Sequence, residues 1–355
     1  MKKCVLIFAL LFINFAVLSQ TIRRVNNTSG LNDPAIYATA QAAHDAAKDG
    51  DIIQLEPSDN PNYGDLTVTK KLTILGIGYD LDNIANPFFD KRVPKLSGVS
   101  FDFGSAKSTI MGVDVGVISV NDESINISRC KTGAVYLGFS QNSNDGSIYS
   151  YGNKAIIVQC LVGQIGSLYG YFNKDLGNNC TISNNIIQGG LSNLFNSVIS
   201  NNTFKSSSTI FYYSIGCVFS NNIIDARDGS EDFKVVNSDV TGSTISNNLC
   251  TTFTGLPTGG GNVNKANATI IFKVANPWYS PETGLPLIDS NLQLADKSPA
   301  KTVGAGSTAI GAYAGSRPYI PSGIPNTPVI TTFISSGFGT TTTPLNIMTS
   351  VRSSN

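Results

Sequence analysis

The chain has 355 residues, enough for one large domain or two ordinary ones, and only 14 % of them are charged. Lysine plus arginine number 24 and aspartate plus glutamate number 24, so the formal net charge is zero. That balance gives no electrostatic footing for nucleic acid or an anionic membrane surface as partner. Glycine, asparagine, serine and threonine fill most polar positions, which suits many short strands joined by tight turns.

Residues 1–19 read as a secretory signal peptide: Lys2 and Lys3, the apolar run "CVLIFALLFINFAVL", then small Ser19 as the cleavage position. The run is short for a bilayer span of about 20 residues. The expectation is therefore export, with no membrane span in the mature protein. Beyond the leader lie Cys130, Cys160, Cys180, Cys217 and Cys250, an odd number without close pairs. This is no disulfide framework, and with His44 as the sole histidine it is no zinc site. The cysteines are expected as small apolar core side chains.

"NDPAIYATAQAAHDAAKDG" (Asn32 to Gly50) predicts a helix over about 34–48, capped by Asp33 and opened by Pro34. After Gly50 the period changes to that of strands, in "DIIQLEP" and "LTVTKKLTILGIG". From Leu96 to Leu294 only short apolar runs occur, broken by Gly, Asn, Asp and Ser, the pattern of a sandwich, barrel or solenoid.

One corner recurs. Ser-Asn-Asn stands at Ser183, Ser200, Ser220 and Ser246, each time between apolar or β-branched residues and at uneven intervals. Asparagine tolerates the left-handed backbone that bends a strand sharply. Stacked one per rung, about 4.8 Å apart, its amide can accept from one neighbour and donate to the next. The expectation is a solenoid with an inward ladder at Asn184, Asn201, Asn221 and Asn247, or at their immediate Asn neighbours. "IIVQCLV" and "NISRCKT" align with the same frame, placing Cys160 and Cys130 where Asn185 sits. Cys180 and Cys217 share a second column, three residues before a corner serine.

With the "AIYATAQAAHDAAKDGDIIQLEP" start, the "ISNNII" series and the "LQLADKSPAKTVGAGSTAIGAYAG" close, the chain resembles secreted bacterial right-handed parallel β-helix proteins of the pectin-lyase-like fold. The resemblance implies an all-β solenoid over 20–316 whose N-terminal helix caps the open end. Residues 317–355 form a Pro/Gly/Ser/Thr-rich tail with two strand-like runs, "PVITTF" and "LNIMTSV", either a hairpin docked on the last rungs or an extension. The scaffold serves lyases, hydrolases, adhesins and inert proteins alike, so it does not assign an activity.

Of the polygalacturonase motifs on this fold, Asn-Thr-Asp, Asp-Asp and His-Gly are missing here, and Arg129-Cys130-Lys131 has the Arg-x-Lys spacing without them. One charged cluster, Asp225, Arg227, Asp228, Glu231, Asp232 and Lys234, could hold calcium beside a basic side chain, as uronate β-elimination requires. It comes from one loop and reads equally as a solvated turn. Aromatic runs precede successive corners, and Tyr136, Tyr169, Tyr171 and Tyr213 form a candidate stripe for stacking on sugar rings. The expectation is a non-catalytic exported protein with a carbohydrate-binding or structural role and a polysaccharide as partner. It carries no metal and no cofactor. The alternative is a polysaccharide lyase with an atypical calcium-assisted site.

Overall fold

The computed structural model describes residues 20–353, apart from 84–88, 139–150, 167–175, 206–209, 227–235, 238–239, 252–254, 279–288 and positions 336, 338, 341 and 343. The leader lies outside the described residues.

An apolar residue flanked by two half-polar ones, repeated once per circuit, organises the fold. Ile74, Ile110, Ile127, Ile157, Ile182, Ile199 and Phe219 occupy the middle of successive short strands and stand in register with one another. All seven are fully buried, and burial of one such side chain contributes about 1.5–3 kcal/mol, an upper figure for a chain already compact when unfolded. Their neighbours point the other way, as strand pleating requires.

The strands assemble into an 11-stranded and a 12-stranded sheet, with every pairing parallel. From Ile52 to Gly166 successive strands alternate between the two. Ile52–Leu55 lies in the first sheet, Asp65–Val68 in the second, Thr73–Leu75 in the first and Lys95–Phe101 in the second. Each circuit thus lays one strand on the strand of the circuit before, and the chain winds as a coil around a continuous apolar core.

The corners stack. Ser183, Ser200, Ser220 and Ser246 are direct cross-strand partners despite intervals of 17, 20 and 26 residues. The extra residues are absorbed elsewhere in each circuit. Within each corner the two asparagines divide the work. Asn184, Asn201, Asn221 and Asn247 take the left-handed conformation, with φ of 56°, 54°, 57° and 56°. The ladder runs through the second asparagine instead. Asn185, Asn202, Asn222 and Asn248 are fully buried. The Asn202 Oδ1 accepts from both the backbone N–H and the Nδ2 of Asn185 (2.9 and 3.0 Å). Asn222 does the same for Asn202, and Asn248 for Asn222. Each Nδ2 also donates back to a carbonyl of the preceding circuit, such as Asn202 to Ile182 at 2.9 Å. The left-handed residue turns the backbone outward, so the side chain that follows it is the one aimed at the core. Asn262, which has no Ser-Asn-Asn context, ends the ladder by accepting from Asn248.

The cysteines extend these columns. Cys160 donates its backbone N–H to Asn185 Oδ1 (2.9 Å), and Cys130 donates to Cys160 Sγ (3.4 Å). The second column alternates thiol and hydroxyl: Cys180 N–H to Ser197 Oγ, Ser197 N–H to Cys217 Sγ, Cys217 N–H to Ser243 Oγ.

The helix is shorter than expected. It spans Ala40–Ala46, and Thr39 caps it by accepting from Ala42 N–H at 3.1 Å. Asp33 instead closes a tight turn onto Ala35 N–H. Ile36–Tyr37 is extended and pairs with Arg24–Val25, so the expected first turn of helix is strand. The helix lies along Asp65–Val68, the last strand of the second sheet. Gln41 Oε1 accepts from Thr67 N–H (2.9 Å), and buried His44 accepts at Nε2 from Thr69 N–H (3.1 Å). Two edge donors are thereby satisfied. That acceptor role places the His44 proton on Nδ1, which donates to Asp45. In the tail, Pro328–Ser335 and Ile347–Ser353 form a two-stranded antiparallel sheet paired with neither long sheet.

The two asparagines of one corner should respond differently to substitution. Asn222→Ala removes an acceptor for two buried donors and should cost about 1–3 kcal/mol in urea unfolding. Asn221→Gly keeps the left-handed backbone and should stay within about 0.5 kcal/mol of wild type. A larger loss for Asn221→Gly would place the ladder at the first position.

Candidate functional site

The outer face of the second sheet carries a trough. Gly116, Gly133 and Gly163 each sit between the same two cross-strand pairs on successive circuits. A Cβ at Gly163 would lie 2.0 Å from Gly133 O, and one at Gly116 would lie 2.2 Å from Ser97 O. Only glycine allows this close approach. The result is a cavity of about 390 Å³ floored by glycine and bounded by Asp114, Lys131 and Gln188. Lys131 is held by Asp80 (2.7 Å), and Lys95 stands 3.6 Å from Asp114.

Farther along the same strands the floor stays small while aromatic rings rise at intervals. Tyr136, Gly166, Ser192 and Tyr212 are consecutive cross-strand partners. Two tyrosines thus bracket a Gly–Ser floor over three rung steps, about 14 Å at 4.8 Å per step. Gln164 Nε2 donates to the Tyr136 hydroxyl at 3.3 Å, and Tyr212 is 43 % exposed.

Of the expected stripe, Tyr136 belongs to this column, while Tyr169 and Tyr171 lie outside the described residues. Tyr213 sits one residue past the column at a left-handed turn (φ 46°) and meets Tyr212 edge-on, with ring centroids 4.3 Å apart. Tyr212 is the member that sequence reasoning missed. Alternation through "TIFYYS" fits either tyrosine, and the register decides it. Of the acidic run, Arg227, Asp228, Glu231, Asp232 and Lys234 lie outside the described residues. Asp225 is buried and accepts from Trp278 Nε1 at 2.9 Å, so its carboxylate faces an indole rather than solvent. Among the described residues no three His, Cys, Asp or Glu side chains gather as a metal site.

A returning segment crosses the corner row. From Ile310 to Pro325 the chain passes back over circuits laid down much earlier. Gly311 N–H donates to Asn221 O. The Asn184 Nδ2 donates to Ala312 O and Ala314 O. Gln159 donates to Pro318 O, and Arg129 Nη1 to Ile324 O. The left-handed corner residues therefore hold this segment, while the residues after them hold the ladder. At its far end the Tyr79 and Tyr319 hydroxyls share a hydrogen bond. Asp289 accepts from Tyr319 OH (3.0 Å) and Ser322 N–H (2.8 Å). Burial pushes the Asp289 carboxyl above the usual carboxylate range.

Because the folded state holds the Asp289 proton more tightly, its contribution is fully present below the unfolded carboxylate value of about 3.9. It is lost as pH rises through the folded value. The Tm advantage of wild type over Asp289→Asn should therefore shrink on going from about pH 4 to about pH 7; a constant difference would contradict it. The thiols give a second check. All five described cysteines are buried, and burial pushes Cys180 and Cys217 up to about 11. A thiol-exchange reagent near pH 8 should label none of these five in the native protein and all five in denaturant.

No family model, curated protein or solved structure matches this chain.

Proposed function

We propose that this protein is an exported, right-handed parallel β-helix of the pectin-lyase-like kind that binds an extended polysaccharide in the trough of its second sheet without cleaving it. The N-terminal helix closes one end of the coil, and the apolar leader directs export. The observation that supports binding is the Tyr136–Gly166–Ser192–Tyr212 column. Aromatic rings offer flat apolar area to sugar faces, and a floor of glycine and serine lets a pyranose approach the backbone. Gln164 adds a polar group beside Tyr136, and the glycine-floored cavity continues the path toward Lys131 and Gln188. A straight parallel sheet presents these features at a regular spacing, which suits a polymer better than a small ligand.

The test is a calorimetric titration of the purified protein against a panel of neutral and acidic polysaccharides. Tyr136→Ala with Tyr212→Ala should weaken binding at least tenfold, about 1.4 kcal/mol, and chelator should leave it intact. Binding abolished by chelator but untouched in the double variant would overturn the assignment. So would release of unsaturated sugar product from an acidic polymer, which would make the protein a lyase.

A further inference from the structure

A second cavity, about 400 Å³, opens on the outer face of the first sheet, where the returning segment leaves the strands uncovered. Its floor is Asn126 and Ser128 on one circuit and Ile156 and Val158 on the next. Arg129 and Arg317 stand at its wall.

Three features of this cavity ask for the same kind of ligand. Arg129 is 8 % exposed, yet its guanidinium meets only neutral oxygens, Gln159 Oε1 at 3.1 Å and Ile324 O at 2.8 Å. No carboxylate pairs with it among the described residues. A buried cation without an anion is costly, and desolvation lowers its proton affinity accordingly. Ser128, 4 % exposed, and Asn126 both line the cavity, and the Ser128 Oγ and Asn126 Oδ1 are buried without a hydrogen-bond partner. Such orphaned groups are uncommon in folded proteins. Arg317 is exposed at the rim.

We propose that this cavity is a binding site for a hydroxylated carboxylate of sugar-acid size, its carboxylate taken by Arg129 and Arg317 and its hydroxyls by Ser128 and Asn126. Buried Arg129 calls for an anion, and both arginines present forked donors suited to a carboxylate. Sulfate does not complete the site, because Asn126 Oδ1 needs a donor and that ion offers only acceptors. A sugar acid supplies both. Its C–H face meets Ile156 and Val158. The site lies on a different sheet from the Tyr136–Tyr212 trough and does not depend on polymer binding there.

The experiment is calorimetric titration of the full chain with glucuronate, galacturonate and a galacturonate trimer, with glucose and sodium sulfate as controls. The acids should bind at least tenfold tighter than glucose or sulfate. Monomer binding equal to trimer binding identifies a free sugar acid as ligand, and tighter trimer binding identifies a chain end. Arg317→Ala should weaken binding at least fivefold, and Arg129→Gln should abolish it. If Arg129→Gln fails to fold, Arg317→Ala and Ser128→Ala decide. The Tyr136→Ala with Tyr212→Ala variant should bind sugar acids as wild type does, which separates this site from the trough. Absence of heat with every acid, equal binding of glucose, or an unchanged Arg317→Ala overturns the proposal.

Discussion

The coil depends on one bend: a residue held at φ near 55° immediately before a buried amide. The bend carries the chain from one sheet to the other, and the amide locks that bend to the one on the next circuit. Parallel strands carry no register information of their own where one apolar residue per strand is much like the next. A ladder in which each Oδ1 accepts two donors from the preceding circuit supplies it, because a slip of one residue would bury the wrong side chain and orphan both donors. The thiols of Cys130 and Cys160 do the same work with weaker donors in the early circuits, turning toward Ile110 O and Ile127 O as Asn185 turns toward Ile157 O.

With register held inside, the outer faces are free to vary. On the second sheet this freedom appears as glycines stacked closely enough that no side chain fits. On the first it appears as an arginine facing neutral oxygens. Neither arrangement improves packing. A valine column would bury more apolar area than the glycines, and a glutamate beside Arg129 would remove an uncompensated charge. Departures of this kind from the locally best choice are where function is most economically sought.

How much of this was legible in the sequence follows from the range of each interaction. The coil, its stacked corners and the shared place of Cys160 and Asn185 could be read, because each circuit repeats one frame and the frame is local. The choice between the two asparagines of a corner could not, since both residues are the same type and only backbone sign separates them. The column shared by Cys180 and Cys217 could be read as well, but not the alternation of Ser197 and Ser243 with them, since a serine and a cysteine do not repeat as one residue type. The helix start was misplaced because Asp33 and Thr39 are both good caps, and pairing of Ile36–Tyr37 with Arg24–Val25 settled the matter. Tyr212 and the returning segment were beyond reach. The contacts of that segment include pairs 128 and 242 positions apart, Asn184 with Ala312 and Asp80 with Ser322.

That segment changes what kind of folding unit the coil is. A stack of circuits that touch only their neighbours behaves as a one-dimensional array, able to nucleate anywhere and fray from either end. Residues 310–325 join late sequence to circuits as early as Tyr79, so the contacts of highest sequence separation form only when both are in place. Loop closure on that scale is entropically expensive and raises contact order, which slows folding. In return the circuits between Tyr79 and Asn221 share one fastening. Opening any of them alone means releasing it, and an array that would melt by degrees is pushed toward a single all-or-none transition.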